Sequence, residues 1–157
     1  ENELSQTADI ALDSVTGGPI VNEHMETSVQ GIFACGNVVH VYDLVDHVTQ
    51  AGELAGESAA RYVLNQLPPL PKKITLKAGD NVRSVVPQTI GGEEPVVLYL
   101  RVKKPMKDVK VTIGNLTIPK RVVKPPEMVT VNLTRQALEK LEKKDELKVN
   151  IVEKVEQ

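Results

Sequence analysis

The chain has 157 residues, which is enough for one ordinary domain or two small ones with a modest hydrophobic core. With 41% hydrophobic and 25% charged residues, its composition is that of a globular protein and not of a disordered one. No apolar run approaches the roughly 20 residues that cross a bilayer, so we expect no membrane partner. The single cysteine cannot form an internal disulfide and suits a reducing cytoplasm, which is the predicted location.

The net charge of −2 hides an asymmetry between the two parts of the chain. Residues 1–63 contain ten acidic side chains and one basic side chain, whereas residues 64–157 contain eleven acidic and eighteen basic ones. A basic half is one feature of nucleic-acid-binding proteins. Here the lysines are spread along alternating strand positions, and Tyr99 is the only aromatic residue among them. A solvated sheet face is therefore the better interpretation, and no nucleic-acid partner is predicted.

The first part of the chain begins with a strong turn signal. Residues 13–19 (Asp-Ser-Val-Thr-Gly-Gly-Pro) lie between two short apolar runs, 10–12 and 20–21, so a β-hairpin is predicted. Residues 31–35 (Gly-Ile-Phe-Ala-Cys) are expected to form a short buried strand.

A helix is predicted from about Asp46 to Leu64. Small apolar residues recur there every four positions, as on one helical face: Ala51, Ala55, Ala59 and Val63. Gly52 and Gly56 share another face at the same spacing. Because glycine costs about 1 kcal/mol against alanine in a helix, this pair suggests close approach by a backbone or a ligand.

The proline-rich segment Leu67–Pro71 favours a stiff, extended connector, and the apolar pattern changes after it. Apolar residues then alternate with polar ones at 109–113, 129–133 and 147–151, which is typical of half-buried antiparallel strands. Residues 95–102 have the pattern of a central strand, and Thr134 is placed to cap one helix. The predicted fold class is α+β: a hairpin, strand and helix in residues 1–66, a linker at 67–71, and a small antiparallel β-sandwich or barrel with one helix at 72–157.

One run of the sequence carries a family resemblance: Thr27-Ser28-Val29-Gln30-Gly31-Ile32-Phe33-Ala34-Cys35-Gly36-Asn37. It resembles the last cofactor-binding segment, T-S-x-x-G-[IV]-F-A-x-G-D, of thioredoxin reductase-like and pyridine nucleotide-disulfide oxidoreductases. The hairpin before that segment reads D-x-x-T-G-G-x-[IV]-V-[DN] in the family, and residues 13–22 follow it closely. The resemblance covers residues 1–65 and implies that residues 1–66 are the C-terminal segment of an FAD-binding domain.

The resemblance implies four cofactor-binding residues. Gly36 lies where the family's backbone turns against the ribityl chain of FAD, a place that only a residue without Cβ fits. Asn37 replaces the family's Asp, and its amide oxygen can still accept a hydrogen bond from a ribityl hydroxyl. His47 and Val48 fall at the start of the helix that faces the pyrimidine end of the flavin, where free N–H donors favour negative charge. Asp46 is expected to cap that helix.

Two other kinds of chemistry have less support. Four residues have side chains that bind metals, but no Cys or Glu completes a tetrahedral set, so no metal site is predicted at His40, Asp43, Asp46 and His47. The disulfide reductases use a pair of cysteines, and Cys35 has no second cysteine to pair with. It is therefore interpreted as a small apolar side chain of the predicted strand.

The pattern G-x-G-x-x-G, which would bind the pyrophosphate of FAD or of NAD(P)H, does not occur in the sequence. We therefore interpret the chain, which opens at Glu1 in mid-pattern, as the C-terminal fragment of an NAD(P)H-dependent FAD oxidoreductase. The fragment supplies flavin contacts, is not catalytic alone, and has the missing N-terminal FAD and NAD domains as its partners. The order of its parts is similar to that of bacterial NAD(FAD)-dependent dehydrogenases whose genes accompany glycerol 3-phosphate dehydrogenase.

The alternative is a stand-alone protein-binding module whose β-rich domain docks a partner subunit. The polar residues around Pro125-Pro126 are a weak candidate for that contact: Arg121, Lys124 and Glu127. Exposed strands in residues 1–63 also leave an oligomer open. Nucleic-acid binding by the basic half is the weakest of the three interpretations.

Overall fold

The computed structural model describes residues 2–154 and divides the chain into two compact units, with the boundary between Pro69 and Leu70. The first unit contains helix α1 (Glu3–Thr7), a 3-10 helix (Gly36–Val38) and helix α2 (Val45–Val63). The second unit contains eight strands and helix α3 (Arg135–Lys140). Every helix within residues 2–154 is too short or too polar to span a membrane.

The predicted hairpin near the start of the first unit is a tight turn closed by a single bridge. Oδ1 of Asp13 accepts hydrogen bonds from the N–H groups of Val15 at 2.8 Å and Thr16 at 2.9 Å. Leu12 and Pro19 form the antiparallel bridge that closes the turn. An aspartate that bonds the backbone two and three residues ahead is a common way to fix such a turn.

Residues 31–35 do not form the predicted buried strand. Within the described chain they contribute one antiparallel bridge, between Glu26 and Phe33, and Ile32 is exposed. The reason is that their backbone groups bond locally. The N–H of Gly31 donates to the Glu26 carboxylate at 2.9 Å, and the carbonyl of Ile32 accepts from the N–H of Thr27 at 2.8 Å. Cys35 is therefore a half-buried residue of a loop and not of a strand.

Helix α2 was predicted correctly to within one residue at each end. Ala51 and Ala55 are buried, as their spacing indicated, while Val63 is exposed. Gly52 and Gly56 do not lie against any close neighbour within residues 2–154, because a methyl group on either would meet open space. The close approach expected at this glycine pair is therefore not made within the described part of the chain.

The second unit is built from two sheets. Its strands are β1 (Ile74–Ala78), β2 (Val82–Val86), β3 (Thr89–Ile90), β4 (Val96–Val102), β5 (Met106–Ile113), β6 (Leu116–Val123), β7 (Val129–Leu133) and β8 (Glu146–Glu153). The five-stranded sheet has the order β3-β1-β8-β5-β6, and the three-stranded sheet has the order β2-β4-β7. Strands β1 and β8 run parallel, so the larger sheet is mixed and not purely antiparallel. The α+β class, with a β-rich unit and one helix in it, is confirmed.

The core of the second unit lies between the inward faces of the two sheets. Alternate residues of β5 and β8 are buried, among them Val111 and Val149, and so are Leu98 and Leu100 of the central strand β4. This is the arrangement that a period-two apolar pattern produces when two sheets pack face to face. Helix α3 adds the buried Leu138, and its first turn is capped as predicted, since Oγ1 of Thr134 accepts the N–H of Ala137 at 3.3 Å.

We expect the stability of the second unit to decrease at alkaline pH because of Tyr99 on β4. Its side chain is buried, and this burial raises the pKa of the phenol above its ordinary value of 10.0. The folded state therefore keeps the proton longer than the unfolded state, and stability is lost as the pH rises above about 10. When the pH is raised from about 9 to about 11, we expect the urea midpoint of unfolding to decrease less in Tyr99→Phe than in the wild type. Equal falls in the two proteins would contradict this assignment.

Candidate functional site

Gly36 forms a sharp backbone corner in the first unit. It is buried, has a φ of +70°, and opens the 3-10 helix after the extended residue Cys35. The N–H of Val39 donates to the carbonyl of Gly36 at 3.0 Å. Because a side chain is strained at this positive φ, the corner requires glycine for its backbone conformation alone.

A second glycine, Gly18, supports this corner from the early turn. A methyl group on Gly18 would lie 2.0 Å from the carbonyl oxygen of Val39 and 2.5 Å from that of Val38, so the turn packs directly on this backbone. The side-chain amide of Asn2 links the same segments, because its Nδ2 donates to the carbonyls of Gly17 at 2.9 Å and Val38 at 3.3 Å. The sequence analysis identified the Gly17-Gly18 pair as a turn but missed this contact.

Helix α2 begins beside the corner without a side-chain cap. Leu44 is the N-cap residue, and its carbonyl accepts the N–H groups of His47 at 3.1 Å and Val48 at 3.4 Å. The prediction that Asp46 caps this helix is wrong, because Asp46 lies inside the first turn, and a cap must precede it. The start of α2 therefore has no side-chain cap at its N-cap residue.

All four residues that the resemblance implied lie on the two elements of this corner, and two of them, Gly36 and Val48, lie close to each other. A methyl group on Gly36 would lie 3.8 Å from Cγ1 of Val48, an ordinary van der Waals distance. Asn37 follows Gly36 on the 3-10 helix with its side chain exposed, and His47 is half-buried beside Val48 in α2. The geometry thus brings together Gly36 and Val48, with Asn37 and His47 as their immediate chain neighbours.

Exposed apolar residues, called the apolar rim below, lie on the segment that leads from Gly36 into α2. Val41 is 67% exposed and Val45 is 80% exposed, with Val38 and Leu44 also exposed. Single exposed apolar residues are normal, but four within eight positions form a patch of the kind that binds a ligand or another protein surface. The sequence analysis missed this rim. The signal was available in the valine-rich run from position 38 to position 45.

Near its C-terminal end, α2 contacts the loop around Gly31 and Phe33 through Tyr62. A methyl group on Gly31, whose φ is +82°, would lie 2.9 Å from Cε1 of Tyr62, and the ring of Phe33 packs edge-on against the Tyr62 ring at 6.0 Å. A cleft of about 480 Å³ lies next to this contact, lined by Glu26, Gln30, Tyr62, Val63, Asn65, Leu67, Pro68 and Pro69. These contacts hold the loop that leads into the Gly36 corner against the helix that follows it.

His40, which follows the corner, is part of the packing of the first unit. His40 is buried and lies edge-on to the ring of Tyr42, with 4.2 Å between ring centroids. Across residues 2–154, no group of three or more His, Cys, Asp or Glu side chains is placed to hold a metal ion.

Comparisons with known proteins give one partial match. No protein-family model matches the chain, and no solved structure does. Over 46 residues, or 27% of the chain, the sequence is 44% identical to NADH-rubredoxin oxidoreductase from Clostridium acetobutylicum. The matched segment covers 12% of that protein, so the chain spans only a small part of the curated relative's length. The match supports a broad relationship to the oxidoreductases.

Proposed function

We propose that the chain is the C-terminal part of an NAD(P)H-dependent FAD oxidoreductase and that its first unit supplies contacts to the flavin. The proposal rests mainly on the geometry of the corner, where a glycine with positive φ lies beside a helix start without a side-chain cap and next to the exposed apolar rim. The partial identity to NADH-rubredoxin oxidoreductase supports the same class of reaction. In this proposal the FAD and NAD domains precede the chain and cover the rim, and the chain alone is inactive.

The residues present fit a bound flavin in three respects. Helix α2 begins without a side-chain cap at Leu44, so its first turn offers the positive end of the helix dipole to an anionic group. Gly36 leaves the backbone open where a side chain would project. Asn37 is exposed and carries an amide oxygen that can accept a hydrogen bond from a hydroxyl group.

Each residue has a distinct part in the proposed site. A bound flavin supplies hydride and electron transfer from the nicotinamide. Gly36 and Asn37 position the ribityl chain, and the first turn of α2, with His47 and Val48, places positive helix-dipole potential at the pyrimidine end of the ring. The apolar rim excludes water from the edge of the site. The exposed Asp46 opposes an anionic ring, so we expect its side chain to point away from the flavin.

The test is Gly36→Val in the full-length protein that carries this sequence. We expect the purified variant to lose its bound flavin, read as absorbance near 450 nm per polypeptide, because the new side chain occupies the corner. Gly17→Val is the matched control. Gly17 has a φ of +74° and open space around it, so the same substitution brings the same backbone strain without entering the site.

The control separates loss of the site from loss of the fold. Flavin retained in Gly17→Val and lost in Gly36→Val supports the proposal. Normal flavin content in Gly36→Val would refute it, and so would equal flavin loss in both variants, since backbone strain alone would then account for the effect.

A further inference from the structure

The outward face of the five-stranded sheet is polar and carries lysines. Strand register places Lys77 of β1 directly beside Lys148 of β8, and Lys110 of β5 beside Val152 of β8. Buried residues alternate with these positions, so the lysines share the face that points away from the core. Between them lie small, uncharged residues, and the same alternation also includes the charged Asp108, Arg121 and Glu146; the uncharged positions are Thr112, Thr117, Pro119, Asn150 and Val152.

The Lys77–Lys148 pair is electrostatically unfavourable in the chain alone. Like charges on directly adjacent strand positions destabilise a sheet. Among residues 2–154, no carboxylate forms an ion pair with Lys77, Lys110 or Lys148. Two acidic residues fall in the alternation of this face, and both lie away from the Lys77–Lys148 pair or at its margin: Asp108 on β5, and Glu146 beside Thr75.

The carboxylates of the second unit that do form ion pairs are held elsewhere. Four ion pairs among the described residues of this unit are Lys72–Asp145, Lys124–Glu127, Arg135–Glu94 and Lys144–Glu142. All of them lie in loops or at the start of α3 and outside the strands. The carboxylates of these ion pairs therefore compensate positive charges in loops and at the start of α3. They do not compensate the charges of Lys77 and Lys148 on the sheet face.

We propose that this lysine face is a docking surface for an acidic protein surface. Carboxylates brought by a partner would compensate the Lys77–Lys148 repulsion and would be steered to the face by its charge. A protein fits better than a nucleic acid, because the face has no aromatic side chain on which bases could stack, and Arg121 lies on the edge strand β6, away from the Lys77–Lys148 pair. The proposal is independent of whether the first unit contacts a flavin.

The experiment uses the whole 157-residue chain and a synthetic peptide of about ten glutamates as the probe, at low salt, where exposed charges are least screened. We expect the largest backbone amide shifts in NMR spectra at residues 75–77, 110–112 and 146–150. The double charge reversal Lys77→Glu/Lys148→Glu is expected to weaken peptide binding about tenfold or more. The matched control, Lys103→Glu/Lys104→Glu, makes the same charge change in the exposed turn between β4 and β5 and is expected to weaken it less than about twofold.

Each other outcome overturns the proposal. Equal weakening by both reversals, or largest shifts around Lys103, would show attraction to total charge and not to the face. Tighter binding of a single-stranded DNA oligonucleotide, lost in Lys77→Glu/Lys148→Glu, would assign the face to nucleic acid. A dimer of the wild type in sedimentation that dissociates in the same variant would assign it to a second copy of the chain. Circular dichroism of both variants checks that they are folded.

Discussion

Gly18→Ala is expected to destabilise the first unit by about 3 kcal/mol, although the substitution adds a single methyl group. That group would lie 2.0 Å from the Val39 carbonyl oxygen and 2.6 Å from its carbonyl carbon. Backbone atoms cannot move aside as the end of a flexible side chain can, so the whole turn or the 38–39 segment must shift. Because this segment follows Gly36 directly, the corner is displaced with it.

The neighbouring glycine provides the control for this prediction. Gly17→Ala meets no atom within 4 Å, but it places a side chain at a φ of +74°. It should cost about 1 kcal/mol from backbone strain alone. Two substitutions at adjacent positions thus separate steric overlap from conformational strain.

Amide hydrogen exchange is the appropriate measurement, because it reports on the two units separately. In Gly18→Ala, protection of α2 amides should fall by about two orders of magnitude while the amides of the β-rich unit keep theirs. If both alanine variants lower α2 protection equally, the turn does not rest on the 38–39 backbone in solution.

Whether an element could be predicted from the sequence depended on whether a local sequence pattern encodes it. Helix α2 and strands β5, β7 and β8 were predictable because each carries its own period of buried residues, and β4 because its residues are apolar at nearly every position. The strand expected at 31–35 failed because the side chain of Glu26 takes the Gly31 N–H, a local competition that periodicity does not contain. The parallel pairing of β1 with β8 joins residues about seventy positions apart, and no local pattern encodes it.

The sequence identified residues of the candidate site, but it did not predict the contacts that support the site or the exposed apolar residues next to it. Gly36 could be identified from its motif, because its positive φ favours glycine over residues that carry a side chain. The support from Gly18 and the exposed rim at Val41 and Val45 depend on contacts between segments and on what each side chain leaves uncovered. The helix cap was mispredicted for a related reason: Asp46 is a favourable capping residue, but the backbone enters the helix at Leu44, before it.

Leu98→Ala should lower the unfolding free energy of the β-rich unit by about 3–4 kcal/mol. Leu98 lies on β4, the central strand of the three-stranded sheet, and is 0% exposed between residues of both sheets. Removing three carbon atoms there forfeits their burial and leaves a cavity. Strand β4 cannot close this cavity, because β2 and β7 hold it by hydrogen bonds on both sides. For a unit of this size, the melting temperature should fall by roughly 15–25 °C.

Val97→Ala is the matched control, since Val97 is the adjacent residue on the same strand with its side chain on the opposite face. It is 37% exposed and pairs with the exposed Asn132, so its truncation leaves no enclosed cavity and should cost about 1 kcal/mol or less. Urea unfolding of both variants measures the difference, with an unchanged slope confirming that the unfolded state is the same. A decrease in unfolding free energy below about 1.5 kcal/mol in Leu98→Ala would mean that the two sheets move together and fill the cavity. Their inner faces would then be less tightly packed than the complete burial of Leu98 indicates.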